Sequence, residues 1–216
     1  MDTLEEVNST TRQAYNLVAE KYYELFQNEM EEKAFDLKFL RSFAKRFQGG
    51  ALICDAGCGP CGHIGKILLE KGLEVIGVDI SDKCIEIAKK QNPTMQFERG
   101  DISNLRFPDN SFDGIIAYYS ILDTPKIYVD RVFKEFGRVL KKDGSLLVAV
   151  KAGNTEGYAE ELLGIETKIY KTLFTEEEII RYFKDGGFEL ETIEKRGPYG
   201  FEIDKARLFA TGKKVA

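Results

Sequence analysis

The segment Leu52-Ile-Cys-Asp-Ala-Gly-Cys-Gly-Pro-Cys-Gly62 decides how this chain folds. A short apolar run leads to the carboxylate of Asp55, and a loop follows with glycines at positions 57, 59 and 62. After the loop, apolar residues recur every three or four positions, which is the spacing of a helix. A strand, a glycine loop and a helix in this order bring a ligand close to backbone N–H groups at the helix start. We therefore expect a ligand-binding loop here.

The loop by itself fits more than one chemistry. Its glycines have the Gly-x-Gly-x-x-Gly spacing of a dinucleotide-binding loop. Cys58-Gly-Pro-Cys61 has the spacing of a redox pair, and Cys54 in front of it completes the Cys-x3-Cys-x2-Cys spacing of an iron–sulfur ligand set. The rest of the chain has to decide among these and a fourth interpretation that is given below.

Strands and helices alternate along the following residues. We predict helices over 9–47, 62–71, 82–91 and 125–142, and strands over 51–55, 73–79, 95–100, 112–119 and 145–151. Ser81 is expected to cap the third of these helices. Apolar strands linked by helices favour right-handed crossover units and a parallel sheet that is covered on both faces.

The last third of the chain has a different pattern. Residues 152–173 show weak periodicity, so we expect an excursion on the substrate side of the sheet. Thr175-Glu-Glu-Glu178 is a capping box for a helix that ends at Gly186-Gly187. Two strands follow, over 188–195 and about 203–211, and their connection is too short for a helix. The final strand must therefore be antiparallel to its neighbour.

Together these elements predict one α/β domain over residues 1–216. The fold class is a Rossmann-like three-layer α/β/α sandwich, with a seven-stranded, mostly parallel sheet, an antiparallel last strand and extra N-terminal helices. Residues 1–48 are expected to form a helical lid, since ligands bind in such sheets outside the carboxyl ends of the strands.

Composition narrows the expected partners and compartment. The chain has 216 residues, a net charge of −5 and a pI near 5.2, which argues against nucleic-acid or anionic-membrane partners. No apolar run approaches the roughly 20 residues of a membrane helix, and the acidic start is unlike a signal peptide. Three of the four cysteines crowd into one loop, so we expect a cytoplasmic protein. Oligomeric state is not indicated.

Three of the first four predicted strand ends carry an aspartate, namely Asp55, Asp79 and Asp101. Asp79 follows the glycines by about 20 residues, where a ribose-binding carboxylate belongs. Asp55 counts against a dinucleotide, because a carboxylate would repel the pyrophosphate. The antiparallel last strand also counts against it, because that strand is foreign to the dinucleotide-binding fold. Gly57 stands where thioredoxin-like redox loops have an aromatic residue. Cys54 lies inside the buried strand, which counts against a cluster.

A family resemblance uses all of these features. Five segments resemble, in order and spacing, the motifs of class I S-adenosylmethionine-dependent methyltransferases: residues 52–59, 75–81, 100–105, 111–117 and 138–145. Tyr15-Asn-Leu-Val-Ala-Glu-Lys-Tyr22 resembles the helix that precedes the sheet in the small-molecule, methyltransferase domain 11/25-like branch. The resemblance covers the chain from about residue 12 onward and names S-adenosyl-L-methionine as the cofactor.

The resemblance also implies a role for individual residues. Asp55 would suit the methionyl ammonium, and Gly57 and Gly59 would let the backbone approach the cofactor. Asp79 would accept hydrogen bonds from both ribose hydroxyls. The other implied contacts are Ile80 with the adenine face, Asp101 and Ile102 with its polar edge, Tyr118 with the methionyl group, and Tyr15 and Tyr22 as a cover.

The sequence departs from the family near the reaction centre. Cys61 stands where many relatives have a third glycine, which Gly62 replaces one residue later. Asp123 stands where many relatives have a histidine, so no histidine base is carried over. The catalytic candidates are Asp123, His63 and Tyr119, and the candidates for the substrate pocket are Tyr158, Tyr170, Tyr199, Phe201 and Glu202. No metal-ligand set stands out.

The expected activity is direct in-line methyl transfer to a small-molecule acceptor. Two alternatives stay open at this point: a nicotinamide-dinucleotide oxidoreductase, and an S-adenosylmethionine-binding module without turnover.

Overall fold

A seven-stranded sheet organises the computed structural model, which describes residues 2–215. The strands are β1 (Leu52–Ala56), β2 (Glu74–Asp79), β3 (Gln96–Arg99), β4 (Phe112–Tyr118), β5 (Leu140–Lys151), β6 (Glu156–Leu162), β7 (Ile165–Thr172), β8 (Phe188–Arg196) and β9 (Arg207–Lys214). The sheet has the order β3-β2-β1-β4-β5-β9-β8, and β9 is antiparallel to both of its neighbours. The pairs among β1 to β5 are parallel. The predicted fold class is thereby confirmed.

Helices cover both faces of the sheet. They are α1 (Leu4–Phe26), α2 (Glu29–Glu32), α3 (Ala34–Ala44), α4 (His63–Leu69), α5 (Asp82–Gln91), α6 (Lys126–Val139) and α7 (Glu176–Asp185). One core cluster joins the sheet to α6 and α7, and a second joins it to α3, α4 and α5. No helix in the part of the chain that the structure describes is both long and apolar enough to cross a membrane.

Two predicted helix caps are confirmed. The Ser81 side chain accepts a hydrogen bond from the Cys84 N–H at 3.0 Å, at the start of α5. Thr175 and Glu178 form a reciprocal capping box at the start of α7. Because each cap satisfies an N–H that has no partner within the helix, these side chains set where the two helices begin.

The N-terminal region is divided where a single helical stretch over 9–47 was predicted. α1 begins at Leu4 because Thr3 forms a capping box with Glu6. The chain leaves helical geometry at Lys33, which has φ −105° and ψ 65° and whose side chain pairs with Glu29 of α2. The single long helix was wrong, because the chain also leaves helical geometry at Asn28, with φ −113° and ψ 12°, and apolar spacing does not reveal such breaks.

The predicted helix over 125–142 is also too long at its end. α6 stops at Val139, and Leu140 already pairs with Phe112 of β4. Lys141 donates to both carboxylate oxygens of Asp113 at 2.9 Å, which holds the start of β5 against the sheet. Pairing with a neighbouring strand therefore overrides the local helical pattern.

The excursion predicted over 152–173 is a two-stranded hairpin. β6 and β7 pair with each other outside the main sheet, and β7 packs against α1. Leu163 and Gly164 make the turn, with φ values of 54° and 74°. Most of its residues are half-buried or exposed, so the apolar alternation that marks a strand is missing.

A buried ion pair joins α3 to the sheet. Asp36 is 0% exposed and accepts hydrogen bonds from Arg196 Nε at 2.7 Å and Nη2 at 3.0 Å. The Tyr118 hydroxyl donates to the same carboxylate at 2.7 Å. One carboxylate thus holds together α3, the end of β4 and the end of β8.

We expect Asp36→Ala to lower the free energy of unfolding by about 3 kcal/mol or more, because the buried Arg196 guanidinium then keeps only Glu202 as a carboxylate partner and the Tyr118 hydroxyl loses its buried acceptor. Glu191→Ala is the matched control, since it breaks the more exposed Arg46–Glu191 pair, for which a loss below about 1 kcal/mol is expected. Urea denaturation measures both values. Equal losses for the two variants would contradict the account.

Candidate active site

A cavity opens at the carboxyl ends of β1, β2 and β4, beneath α1. Its empty volume is about 670 Å³, including the part that is open to solvent. Nine of the ten residues predicted to bind the cofactor line it: Tyr15, Tyr22, Gly57, Gly59, Asp79, Ile80, Asp101, Ile102 and Tyr118. The strand ends thus bring together the residues that the motifs pointed to.

Asp79 is the buried carboxylate at the centre of the cavity wall. Its Oδ2 accepts a hydrogen bond from the Gly59 N–H at 2.9 Å, and its Oδ1 accepts one from the Ser81 N–H at 2.8 Å. Burial raises the pKa of Asp79 to about 6, although these backbone donors oppose the shift. The side chain therefore joins the loop after β1 to the loop after β2.

The glycine loop needs glycine at two positions for different reasons. Gly57 has φ +80°, and a Cβ there would lie 2.2 Å from the Cβ of Ser120. Gly59 has φ +60°, and a Cβ there would lie 4.0 Å from the nearest atom, in the ring of Tyr22. Glycine is therefore needed at this position for its left-handed conformation and not for lack of space. Gly62 has φ +59° at the start of α4, as predicted for the displaced third glycine.

α1 is held over the cavity by hydrogen bonds to two strand ends. Asn8 Nδ2 donates to Asp101 Oδ2 at 2.7 Å, and the Tyr15 hydroxyl donates to Asp123 Oδ2 at 2.7 Å. Lys171 of β7 donates to the other oxygen of Asp123 at 2.6 Å. The carboxylate of Asp123 therefore joins α1, the hairpin and the turn after β4.

Two hydroxyls in the cavity wall are free for a ligand. Thr11 Oγ1 and Ser120 Oγ are buried and have no hydrogen-bond partner among residues 2–215. Buried polar atoms are normally satisfied, so unpaired ones in a cavity are typical of a site that is completed by a ligand.

Asp55 is the one predicted cofactor residue that does not line the cavity. It is 1% exposed, and its Oδ2 has no hydrogen-bond partner in the described residues. Burial raises its pKa to about 7, against the opposing effects of His63 and the Gly65 N–H. The structure thus buries Asp55 near the end of β1, outside the residues that line the cavity, and its contact with a methionyl ammonium stays a prediction.

The three catalytic candidates separate in the same way. Tyr119 and Asp123 line the cavity. His63 begins α4 outside it, with Nε2 2.9 Å from a carboxylate oxygen of Glu29. Tyr119 has φ 58°, which turns the chain sharply at the end of β4. Burial raises the pKa of the Tyr119 hydroxyl well above its usual value. The geometry therefore favours Asp123 over His63 for contact with a substrate.

The five substrate-pocket candidates lie outside this cavity. Tyr158 and Tyr170 pack edge to face on the hairpin, with ring centroids 5.0 Å apart, and line a separate small pocket. Tyr199 and Phe201 stack in the connection between β8 and β9, with centroids 5.6 Å apart. Glu202 in the same connection accepts hydrogen bonds from Arg196. A direct contact of these residues with a substrate stays a prediction.

The cysteines of the loop are buried thiols. Cys54, Cys58, Cys61 and Cys84 are all buried and free of disulfide bonds. Burial raises the pKa of Cys61 to about 12 and that of Cys58 well above its usual value. Because redox pairs need a lowered thiol pKa, shifts in this direction count against the redox interpretation. Within residues 2–215, no three His, Cys, Asp or Glu side chains are grouped as metal ligands.

Comparisons with known proteins agree with this geometry. A family model described as a methyltransferase domain matches residues 54–148. A sterol 24-C-methyltransferase of Saccharomyces cerevisiae is 30% identical over 163 residues, which is 67% of this chain and 42% of that protein. A demethylmenaquinone methyltransferase of Thermotoga maritima is 37% identical over 91 residues, 40% of this chain and 38% of that protein. Residues 54–148 of this chain therefore match the methyltransferase-domain family.

The chain spans about two fifths of the length of these curated relatives. A solved structure supports the fold over all of it. The 1,6-didemethyltoxoflavin-N1-methyltransferase of Burkholderia thailandensis, with bound 1,6-didemethyltoxoflavin and S-adenosylhomocysteine, covers 100% of this chain and 92% of its own, with a TM-score of 0.72 and 16% identity.

The motifs missed several residues that line the cavity. Asn8 and Thr11 on α1 line the cavity, as do Ser120 and Thr124 after β4. The spacing of residues 8, 11, 15 and 22 puts them on one face of a helix, since residues three, four and seven apart lie close together. Helical spacing counted back from Tyr15 would have found the two residues on α1.

We expect Asp55→Asn to stabilise the protein at pH 8 by on the order of 3 kcal/mol, because it removes a buried charge. The folded pKa of about 7 lies above the unfolded value, so the wild type gains stability as pH falls through 7. The advantage of the variant therefore shrinks from pH 8 to pH 5. Urea unfolding at both pH values measures it, with exposed Asp82→Asn as the control. An advantage that does not depend on pH would contradict the burial of an ionised Asp55.

Proposed function

We propose that the chain is an S-adenosylmethionine-dependent enzyme that transfers a methyl group directly to a small-molecule acceptor. The observation that supports this is the convergence of Gly57, Gly59, Asp79 and Asp101 on one cavity at the carboxyl edge of the sheet. In this fold, that edge is where ligands bind.

The cavity residues fit the cofactor chemically. Asp79 lies at the wall as an acceptor for the ribose hydroxyls, and Asp101 as an acceptor for the adenine amino group. Ile80 and Ile102 offer apolar surface for the adenine ring. The hydroxyls of Thr11 and Ser120, which have no hydrogen-bond partner in the described residues, add two further polar groups to the cavity wall. When bound, the cofactor supplies an activated methyl group on a sulfonium centre.

The protein's part in the reaction is orientation and exclusion of water. Tyr15 and Tyr22 of α1 cover the cavity, and Tyr118 closes its inner wall. Aromatic rings favour a cation such as a sulfonium, and a dry site holds donor and acceptor in reacting geometry. Asp123 is the carboxylate that would take a proton from the acceptor. Each of its oxygens already accepts one hydrogen bond, one from the Tyr15 hydroxyl and the other from Lys171.

We propose a small-molecule acceptor because the segment from Tyr15 to Tyr22, which resembles the helix of the small-molecule branch, contributes both of these tyrosines to the cavity wall. The relatives are named for sterol and demethylmenaquinone substrates, and those substrates are not assigned to this chain. The negative charge argues against nucleic acid as a partner. Four free, buried thiols fit a reducing cytoplasm. Residues 1–48 and the hairpin within 152–173 serve in this proposal as the cover on the substrate side.

We expect S-adenosylhomocysteine to bind the wild type and Asp79→Ala to weaken that binding by at least about 100-fold, because two hydrogen bonds to a charged acceptor are lost. Isothermal titration calorimetry measures the affinity, and urea unfolding checks that the variant still folds. Asp82→Ala, three residues away and exposed, is the matched control and should bind normally. Unchanged affinity in Asp79→Ala would sink the site assignment.

Turnover is tested separately with radiolabelled S-adenosylmethionine and a broad acceptor panel. Transfer of label to a member of the panel supports an enzyme. Thermal stabilisation by NADH, together with none by S-adenosylhomocysteine, would instead favour the nicotinamide alternative.

A further inference from the structure

Two cations face each other across the pairing of β5 with β9. Lys151 is the last residue of β5, and its register partner is Arg207, the first residue of β9. Directly opposite residues of an antiparallel pair project from the same face, with Cβ atoms about 4.5–5.5 Å apart. Like charges in that arrangement repel one another, so the pair needs an anion nearby.

The described residues do not fully supply that anion. Among residues 2–215, no carboxylate oxygen lies within 4.0 Å of Lys151 Nζ. Arg207 is 3% exposed, and its Nη1 donates to the carbonyl groups of Ile203 and Lys205. Arg207 Nε is buried without a hydrogen-bond partner, with an oxygen of Glu202 3.5 Å away. Within the described part of the chain, Arg207 thus has a carboxylate partner but an Nε–H without a hydrogen bond, whereas Lys151 has no carboxylate partner.

The surroundings of Lys151 are mainly positive. The charged groups that act on it electrostatically, in decreasing order of effect, are Lys171 of β7, Asp123 after β4, Arg207 of β9 and Lys33 before α3. Asp123 is already paired with Lys171 at 2.6 Å. Burial in the first place, and then the charge of Lys171, lowers the pKa of Lys151 to about 8. An oxyanion bound beside Lys151 would reverse this unfavourable balance.

The two cations lie next to the proposed reaction site. Strand alternation puts Lys151 on the same face as Ala149, and Arg207 on the same face as Phe209. The Phe209 ring packs edge to face with Tyr119, with centroids 6.3 Å apart, and Tyr119 lines the cofactor cavity. Lys151 thus lies two residues beyond Ala149, whose carbonyl accepts a hydrogen bond from the Tyr119 N–H at 2.9 Å, and neither cation is itself among the residues that line the cavity.

We propose that Lys151 and Arg207 form an oxyanion subsite for the methyl acceptor, which accordingly carries a carboxylate or a phosphate group. This rests on the proposed function, because it names the substrate class of the same site. Arg207 supplies a directed N–H donor, and Lys151 supplies a mobile charge that can follow either anion.

The test is calorimetric titration of the full chain, saturated with S-adenosylhomocysteine, with benzoate and with inorganic phosphate at pH 7 and constant ionic strength. We expect one of the two probes to bind and Lys151→Met to weaken it by at least about tenfold. The probe that binds tells carboxylate from phosphate. Affinity should also fall as the pH rises through about 8, where Lys151 loses its proton.

Lys213→Met is the matched control. Lys213 lies on the same strand pair, opposite Ser145 at the other end, and is paired with Asp143. It should bind the probe like the wild type. Urea unfolding should show that Lys151→Met folds normally, since Lys151 has no carboxylate partner to lose.

Absence of binding of either probe to the wild type would overturn the subsite, and so would equal affinity in Lys151→Met. Binding of S-adenosylhomocysteine is measured first on the same samples. If S-adenosylhomocysteine does not bind, the probe is titrated without it. Probe binding that still depends on Lys151 would then mean that the proposed function is wrong and the oxyanion site stands. If it succeeds and neither probe binds, only the subsite is wrong.

Discussion

The site depends on one buried carboxylate that is bonded to two separate loops. Asp79 ends β2 and accepts hydrogen bonds from the N–H groups of Gly59 and Ser81, so the loops after β1 and β2 are held by one side chain. Its pKa, raised to about 6, shows that ionisation there is unfavourable. A buried charge of this kind is retained at a cost in stability, and sites for ligands are where such costs are usual. In our account, Asp79 has a structural role that prepares the position for ribose binding.

The remaining walls of the cavity come from parts of the chain that are distant in sequence. α1 crosses the strand ends and is bonded to Asp101 through Asn8 and to Asp123 through Tyr15. The β6–β7 hairpin reaches Asp123 from the other side through Lys171. Three elements therefore meet over the cavity at one carboxylate. Because the sheet edge alone would be open to water, this cover is what allows a dry site.

The parts of this arrangement that the sequence predicted depend on local patterns. The alternation of strands and helices was enough to predict the sheet. The aspartates at successive strand ends were enough to predict that Asp79 and Asp101 lie at its ligand-binding edge. The hairpin within 152–173 was missed because its strands are half-exposed on both faces and show no period. The burial of Asp55 could not be foreseen either, because the alternation of side chains along a strand shows which face a residue is on and not how deeply it is buried. Lys151 has no motif, since its significance arises only from its register with β9.

A crystal structure of the chain with S-adenosylhomocysteine tests the central claim most directly. The account predicts both ribose hydroxyls within hydrogen-bond distance of the Asp79 carboxylate, and the adenine between Ile80 and Ile102 with its amino group on Asp101. The homocysteine end should lie beside Tyr118. A ligand bound elsewhere, or a ribose that leaves Asp79 bonded only to the backbone N–H groups, would contradict it.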